Sequence, residues 1–450
     1  MSGSSRVAIC GGGVAAVEAL LALREYLAIR PHIDLIAPNS KFVYQPMAVA
    51  EPFGLARTRL LDIADIAREL AAELHVGALA QVDNVNRHVV LASGTQLPYD
   101  AVIIAVGGRR SSWLPGATHF GGADDVGSFA GLLARLERGD ITRLAFASPP
   151  GASWTLPLYE LALLTASWVA ERGVTGVELS IITPESDPLS IFGTAASRML
   201  RGQLSDRGIH LRSGATVETL SPGRLELSSG ETVGVDEVVA LARLEGPRVQ
   251  GLPADPDGFI LVDDHCRVDG MQDVYAAGDG TAFPIKQGGI ATQQADVAAQ
   301  SVAASLGAPL QPSVFEPLLR GMLLTGVAPM YLRVNAGVTS VEKGEVAANP
   351  LWWPPTKIAG RHLGPYLART SHVGYGSSLE DRPSTSRDPG ALLAAHREAR
   401  ELALAFAELD ADSGDFRSAL RWLDVLERLD GVLPEGYVGK RDAWQALTSS

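Results

Sequence analysis

Three glycines near the start of the chain, Gly11, Gly12 and Gly13, have the spacing to bind a diphosphate. Gly11 permits a tight turn, and Gly13 has no side chain to keep a phosphate away from the backbone. Ala16 is small enough for the close packing of a helix against a strand that such a turn requires. These residue types in this order predict the binding of a dinucleotide.

The segments on either side of the glycines have the pattern needed to position them. Arg6–Cys10 is predicted to be a buried strand, and the run from Val17 to Leu23 is predicted to be a helix. The first turn of that helix would present N–H groups to the phosphates. An acidic residue that holds a ribose is expected about 20 residues later, but the predicted second strand ends in Ala37-Pro38-Asn39. Asn39 or a main-chain group is therefore expected to contact the ribose.

Two further motifs lie far from the glycines in sequence. One is Val274-Tyr275-Ala276-Ala277-Gly278-Asp279, and the other ends in Ala105-Val106-Gly107-Gly108. In this order the three motifs resemble the two-dinucleotide-domain flavoproteins of the pyridine nucleotide-disulfide oxidoreductase superfamily. Within it, Lys41-Phe42-Val43-Tyr44-Gln45-Pro46 and Lys286-Gln287-Gly288-Gly289 resemble the branch of sulfide:quinone oxidoreductases and type II NADH dehydrogenases. The resemblance implies a bound FAD.

The resemblance also implies how FAD is held. Asp279 would hydrogen-bond the ribityl or pyrophosphate region, and the helix that begins near Gly289 would direct its positive end at the flavin N1/O2 edge. Lys286 is a catalytic candidate that would add positive charge at this edge, and the alternative is a solvated loop lysine. The adenine end is expected against residues 79–82. The expected cofactor-binding residues are Gly11, Gly12, Gly13, Val14, Ala15, Ala16, Pro38, Asn39, Lys41, Pro46, Val82, Ala105, Val106, Gly107, Gly278, Asp279, Gly288, Gly289 and Ile290.

The central part of the chain departs from NADH-using members of the superfamily, which carry a second glycine fingerprint. The segment after the predicted strand 142–147 instead contains Pro149, Pro150 and Trp154. Proline lacks an N–H donor, and the tryptophan is bulky where a pyrophosphate would need the backbone, so conventional NAD(P)H binding is not expected. Glu185 ends the next predicted strand, where a ribose-binding carboxylate would lie, but a surface glutamate is the favoured interpretation.

Glu160 is the second catalytic candidate. By motif order it corresponds to the glutamate that lies near the flavin in type II NADH dehydrogenases. A partly buried carboxylate in that place would have a raised pKa and could relay protons to a quinone or to flavin N5. The alternative is a glutamate in the first turn of a helix, stabilised there by the helix dipole.

The chain has two cysteines, Cys10 and Cys266, and they form no CxxC pair. Cys10 lies within the first predicted strand, where a buried structural thiol is expected. Cys266 lies in a segment that resembles a strand, Val262–Val268. Superfamily members that reduce disulfides or oxidise sulfide use cysteine pairs beside the flavin, so neither reaction is expected here. His265-Cys266 lacks further ligands nearby, and no metal site is expected.

Composition indicates an ordinary globular protein: 450 residues, 46% hydrophobic and 20% charged. The net charge of −13 argues against nucleic acid and against nonspecific adhesion to anionic lipid. The first residues have no basic or apolar leader pattern, and no apolar run is long enough to span a bilayer. A cytoplasmic protein is expected, and a peripheral membrane contact stays open.

The predicted fold is α/β, with two Rossmann-like dinucleotide-binding domains, a C-terminal interface region and a helical tail. Residues 1–114 and 241–310 are expected to form the FAD-binding domain, and 115–240 a degenerate NAD(P)-type domain. Residues 311–380 are expected to form the interface domain, where Trp352 and Trp353 would line an acceptor pocket or a protein interface. Residues 390–450 are predicted to form a helical hairpin for dimerisation or for docking of a protein partner.

Three functions follow from these patterns. The first is an FAD-dependent oxidoreductase that takes electrons from a small donor and passes them to a quinone-like or other acceptor. The second is a noncatalytic flavin-binding interaction protein. The third is an NAD(P)H:acceptor reductase with a noncanonical nucleotide site, which Glu160 and Glu185 favour and the proline pair opposes.

Overall fold

The computed structural model describes residues 5–28, 30–336, 344–352 and 355–369, and farther along the chain 404, 407–408, 411, 416, 419–420, 422–423, 426–427, 433–434 and 436–448. The chain divides into two compact units, the first made of residues 1–351 with 357–363 and the second of residues 352–356 with 364–450.

The strands that the structure describes all lie within the first unit. In chain order they are β1 (Arg6–Cys10), β2 (His32–Ala37), β3 (Lys41–Tyr44), β4 (Arg59–Asp62), β5 (Glu73–Val76), β6 (Leu79–Asp83), β7 (His88–Leu91), β8 (Gln96–Pro98), β9 (Ala101–Ile104), β10 (Arg109–Ser111), β11 (Thr118–Phe120), β12 (Arg143–Ala147), β13 (Glu178–Thr183), β14 (His210–Ser213), β15 (Val217–Ser221), β16 (Arg224–Leu227), β17 (Thr232–Gly234), β18 (Glu237–Leu241), β19 (Arg243–Glu245), β20 (Val274–Ala276), β21 (Leu318–Leu323), β22 (Met330–Asn335) and β23 (Glu345–Ala347).

Helices connect these strands. They are α1 (Val14–Tyr26), α2 (Ile63–Glu69), α3 (Val126–Glu137), α4 (Leu156–Glu171), α5 (Thr194–Asp206), α6 (Gly288–Ser305), α7 (Leu363–Arg369) and, in the second unit, α8 (Tyr437–Thr448). Short 3-10 helices cover Ala48–Phe53, Ala123–Asp125 and Ser190–Phe192.

The first large sheet has the order β20-β9-β1-β2-β5, and all its pairs are parallel. Its strands are almost wholly apolar at the centre because both faces are covered: residues of β6, β7 and β8 pack on one face and helices on the other. Strand β20 follows more than 160 residues after β9 along the chain, so the sheet joins an early and a late segment. Helices α1 and α6 pack against each other on this sheet.

The second large sheet has the order β11-β18-β12-β13-β14 and is also parallel throughout. It lies within the segment between β9 and β20. Helix α4 follows β12 directly and is buried along most of its length, with Leu158, Tyr159 and Leu161 in the hydrophobic core. The two parallel sheets confirm the predicted α/β class with Rossmann-like units.

A smaller antiparallel sheet, β21-β22-β23, follows α6. It is fastened to α6 by two glutamine side chains: Gln293 donates to Leu318 O at 2.9 Å, and Gln287 donates to Arg320 O at 3.2 Å. The strand β21 is therefore held beside the first turn of α6.

In the second unit, the described part of the predicted tail forms an apolar cluster that includes Ala419, Leu423 and Trp444. Residues 391–403 of the first predicted tail helix lie outside the described residues, as does Trp353. Trp352 is buried, and its indole N–H donates to Thr356 O at 2.8 Å. Among the described residues, no helix has the length and apolar character needed to cross a bilayer.

Candidate functional site

A cavity of about 980 Å³ opens where the strands of the first sheet end. Residues that directly follow β1, β2, β9 and β20 line it, so it lies at the carboxyl ends of parallel strands, where α/β sheets bind ligands. The predicted cofactor-binding residues among its lining are Gly12, Gly13, Val14, Ala15, Pro38, Asn39, Lys41, Pro46, Ala105, Val106, Gly107, Gly278, Asp279 and Gly288.

The glycines at the start of α1 have different structural roles. Gly11 has a φ of +144°, and a Cβ there would lie 2.1 Å from Ala105 O. A Cβ on Gly13, in contrast, would have no atom within 4 Å. Gly13 caps α1 without a side-chain hydrogen bond, so the first-turn amides of the helix face open space. This cradle fits the diphosphate of FAD.

The other predicted residues lie around the cavity without lining it. Val82 is buried in the core cluster beneath the sheet, and its N–H donates to Gln250 O at 2.9 Å. Ala16, Gly289 and Ile290 are buried in their helices. Their contacts with FAD stay predictions.

The first turn of α6 reaches the same cavity at Gly288. Its capping residue is Gln287, whose side chain accepts a hydrogen bond from Ile290 N–H at 2.9 Å. A Cβ on Gly288 would lie 2.3 Å from Ile358 Cδ1, so a larger residue here would displace the Ile358 side chain. The positive ends of α1 and α6 thus face one cavity, which suits a ligand with a diphosphate at one end and a polarisable ring at the other.

Lys286 and Asp279 line the cavity together. The Lys286 ammonium donates to Thr281 O and lies 3.7 Å from the centre of the Phe259 ring. Burial lowers the pKa of Lys286 to about 8, although Asp279 favours the charged form. Burial likewise raises the pKa of Asp279, opposed by the charges of Lys286 and Arg110. Lys286 is therefore not a freely solvated loop lysine.

Glu160 forms a buried ion pair within the same lining. Both of its carboxylate oxygens lie 2.6 Å from Lys357 Nζ, and Leu324 N–H donates to Oε1 at 2.9 Å. The Glu160 side chain is fully buried and that of Lys357 is 9% exposed. Burial raises the pKa of Glu160 and lowers the pKa of Lys357, while each partner's charge opposes the shift of the other. The two pKa values converge, which lowers the cost of moving a proton between these groups.

The segment Lys357–Leu363, which carries Lys357, is anchored by buried polar groups. Glu18 accepts from the N–H groups of His362 (3.0 Å) and Leu363 (2.6 Å). The His362 ring bonds to Asp296 at 3.0 Å and to Glu25 at 3.1 Å. Burial opposes the charged ring, but these two carboxylates and Glu18 raise the pKa of His362 to about 9. A cationic His362 thus joins α1, α6 and this segment.

The proline-rich segment after β12 also lines the cavity, at Pro149, Pro150 and Trp154. Glu185, at the end of β13, does not stand free on the surface. Its carboxylate accepts from Tyr159 Oη at 2.5 Å and lies 3.2 Å from Thr183 Oγ1. Burial raises its pKa against these hydrogen bonds. An acidic residue thus lies where the sequence suggested a ribose-binding carboxylate, but its carboxylate already accepts a hydrogen bond from Tyr159 of α4.

Neither cysteine belongs to the cavity lining. Cys10 and Cys266 are 0% and 1% exposed, and burial raises the pKa of both thiols. Cys266 lies in a left-handed turn (φ +59°) inside the bridge between Val262 and Val268, so the predicted strand is a tight hairpin instead.

The described groups with metal-ligand spacing are His32, Asp34 and Glu73. Asp34 lies inside β2 and is fully buried. Arg6 Nε donates to its carboxylate at 2.8 Å, and His75 bonds to it at 2.7 Å. A guanidinium thus already balances the charge of this carboxylate.

Sequence reasoning missed Lys357 and Arg320. Lys357 lies 197 residues from its partner Glu160 and belongs to no motif. Arg320 follows a run of leucines on β21 and would be predicted to face solvent, yet it lines the cavity. The signal in the sequence that could have identified Arg320 is a basic residue within an otherwise apolar strand.

Comparisons with known proteins agree with this geometry. The profile described as pyridine nucleotide-disulphide oxidoreductase matches residues 5–301. An NADH dehydrogenase-like protein of Mycobacterium tuberculosis is 28% identical over 299 residues, which are 62% of this chain and 73% of that protein. The ferredoxin reductase component of a chlorobenzene dioxygenase from Cupriavidus is 25% identical over 319 residues, 68% of this chain and 74% of the relative. The sulfide:quinone oxidoreductase of Aquifex aeolicus superposes with a TM-score of 0.70 at 19% identity, over 77% of this chain and 87% of that one.

Proposed function

Because the chain belongs to the pyridine nucleotide-disulphide oxidoreductase family and is an FAD-dependent enzyme, we propose that it passes electrons through the flavin to a quinone-like or other small acceptor without a redox-active cysteine pair. The observation that carries the proposal is the buried pair of Glu160 and Lys357 in the wall of the cavity. This pair offers a proton-handling group that requires no thiol.

FAD, when bound, supplies the chemistry of accepting and releasing one or two electrons. The chain supplies the rest. The first turns of α1 and α6 stabilise negative charge in the cavity, and Lys286 adds a cation beside Asp279. Glu160 Oε1 and Lys357 Nζ hold a proton between them, ready for a substrate oxygen or nitrogen that gains electrons.

The organisation of the sheets supports the proposed domain division. Residues 1–114 and 241–310 contribute all five strands of the first sheet, and residues 115–240 include the second sheet except for the last residue of β18. We propose that the first pair of segments binds FAD. The second would shape the donor and acceptor side through Pro149, Pro150 and Trp154.

NAD(P)H is a second candidate as the electron donor. Its support comes from the names of two relatives, an NADH dehydrogenase-like protein and a ferredoxin–NAD(+) reductase subunit from Pseudomonas putida. The structure favours it less, because the prolines after β12 remove amide donors and the Glu185 carboxylate is engaged by Tyr159.

Anaerobic titration of the purified yellow protein with NADH and then NADPH separates these candidates. Rapid bleaching of the flavin band identifies a nicotinamide donor. A flavin that is unchanged by both, yet is reoxidised by menadione after photoreduction, supports another small donor. A flavin that menadione leaves reduced contradicts electron passage and leaves a flavin-binding interaction protein.

The proposed role of the Glu160 carboxylate in proton transfer is tested by the substitution Glu160→Gln. The variant should keep its FAD and lose about 100-fold in turnover with menadione, because an amide cannot hold the proton. Glu237→Gln is the matched control: Glu237 pairs with Arg135 outside the cavity, and turnover should stay unchanged. The measurement is steady-state rate per bound flavin, taken across pH 6 to 9.

Glu160→Gln leaves Lys357 buried without its partner, which destabilises a protein by about 3–5 kcal/mol. The double variant Glu160→Gln/Lys357→Met removes this unpaired charge and keeps the measurement interpretable if the single variant unfolds. A folded, FAD-loaded variant with wild-type turnover would return the pair to a purely structural role.

A further inference from the structure

Arg320 is a cation in the lining of the cavity. It lies on β21, is partly buried, and its Nε is a buried donor that makes no hydrogen bond to the described residues. Among the described residues its guanidinium also forms no ion pair. A guanidinium normally keeps its five donors either in water or on an acceptor, because burial without either is costly.

The cations around Arg320 differ from it in this respect. Arg333 pairs with it across β21 and β22 but is neutralised by Glu345, at 2.8 Å, and donates to Leu351 O at 3.1 Å. Lys357, in the same cavity lining, is neutralised by Glu160. Arg320 has no such carboxylate in the part of the chain that the structure describes. Burial and the charge of Arg333 lower its pKa to about 10, so it stays charged at neutral pH.

The position of Arg320 favours a reaction partner over the FAD diphosphate as its ligand. Its carbonyl accepts from Gln287, the cap of α6, so Arg320 lies beside the first turn of α6, where the flavin ring is expected. The next residue, Gly321, would bring a Cβ within 3.0 Å of Leu156 at the start of α4. Trp154 and Met322 also line the cavity and offer apolar surface.

We propose that Arg320 docks an anionic oxygen, carboxylate or phosphate, of the small molecule that exchanges electrons with the flavin. This inference rests on the proposed function and specifies a substrate class for the molecule that binds at Arg320: an anion with an apolar body. The planar fork of the guanidinium matches two oxygens of either group. Arg320 acts in binding and specificity, and it leaves proton handling to Glu160.

Calorimetric titration of the FAD-loaded protein with 2-naphthoate and 2-naphthamide tests the proposal. The two probes have nearly the same shape and differ in charge. The wild type should bind the acid about tenfold more tightly than the amide or better, and Arg320→Gln should remove this preference while leaving amide binding within about twofold. Arg320→Lys should keep part of it. 2-Naphthyl phosphate, in the same titrations, distinguishes a phosphate from a carboxylate ligand.

Arg212→Gln provides the charge control, because Arg212 pairs with Glu231 away from the cavity and its loss should leave the preference intact. Equal binding of both probes by the wild type overturns the proposal. So does loss of FAD from Arg320→Gln, which would make the flavin the ligand of this arginine. Failure of menadione to reoxidise the flavin would instead contradict the proposed function, since the naphthoate titration requires no electron transfer.

Discussion

At the residue scale, the two glycines at either end of the first motif separate folding from cofactor binding. Gly11 is required by the protein itself, because its φ is positive and Ala105 O occupies the place of a Cβ. Gly13 is required only by what lies in the cavity, since a Cβ there would have no described atom within 4 Å and the φ of −99° suits any residue. One alanine substitution at each position distinguishes the two requirements.

Gly13→Ala should fold with a melting temperature close to that of the wild-type apoprotein and bind FAD more weakly, by about tenfold or more, because the methyl group enters the space of the diphosphate. Gly11→Ala should lose about 2–5 kcal/mol of stability from backbone strain and overpacking. Flavin absorbance per protein and thermal unfolding of both apoproteins are the measurements. An equally unstable Gly13→Ala, or full FAD content in it, contradicts the assignment of the cradle.

The residues that sequence reasoning found are those whose role is local. Gly11 and Gly13 are recognised because a turn, a strand and a helix within 20 residues of them determine their use. Glu160 was reached only through the order of motifs, and the sequence alone could not separate a proton relay from a helix-dipole residue. Lys357 and Arg320 were missed because their meaning depends on tertiary contacts with Glu160 and with the α6 cap. The hydrogen bond from Tyr159 of α4 to Glu185 is likewise a tertiary contact that the sequence does not show.

At the element scale, the segment Lys357–Leu363 determines where Lys357 stands. It has no regular hydrogen bonding of its own before α7, and it is held by Glu18 and His362 instead. The anchoring is electrostatic: the His362 ring lies among Glu18, Glu25 and Asp296, with Arg361 as the nearby opposing cation. Burial would raise the pKa of Asp296, but hydrogen bonds from His362 and Tyr26 lower it.

This arrangement predicts a stability that depends on pH. The pKa of His362 rises from 6.5 to about 9 on folding, so its contribution is complete below pH 6.5 and is lost as the pH rises through 9. The shift corresponds to about 3 kcal/mol. Urea unfolding between pH 6 and pH 10 should show this decline, and His362→Gln should flatten it from a lower starting value. His210→Gln, at an exposed position on β14, should keep the wild-type slope; a decline that survives in His362→Gln assigns it to another group.

At the scale of the whole molecule, the cavity collects segments from distant parts of the first unit, from Gly12 to Ile358. The parallel sheet beneath it does the same, since β20 completes a sheet begun by β1. The fold class could be predicted from the sequence because the glycine turn lies between a predicted strand and a predicted helix, and because the order of the three motifs resembles that of the superfamily. The complete lining of the cavity could not be predicted from the sequence, because it is formed jointly by the loops after four separate strands and by the segment before α7.

A ligand that contacts all of these segments should stabilise them together. Removal of FAD should lower the melting temperature, and added FAD should restore it in a concentration-dependent way. At a free FAD concentration of about a hundred times the dissociation constant, the free energy of unfolding should rise by about 2.7 kcal/mol. Calorimetry of apo and reconstituted protein measures this. A melting temperature that does not change when FAD is added would contradict the assignment of the lining residues to FAD binding.

The buried state of both cysteines has a consequence for chemical durability. Cys10 and Cys266 lie within the core, and burial keeps their thiols protonated. Alkylating agents and peroxides attack thiolates that solvent reaches. Flavin enzymes that depend on a cysteine pair therefore stop when oxidants consume that pair. The proposed proton-handling pair of Glu160 and Lys357 offers such reagents no thiolate, so the enzyme should keep its activity under oxidising conditions that inactivate thiol-dependent enzymes.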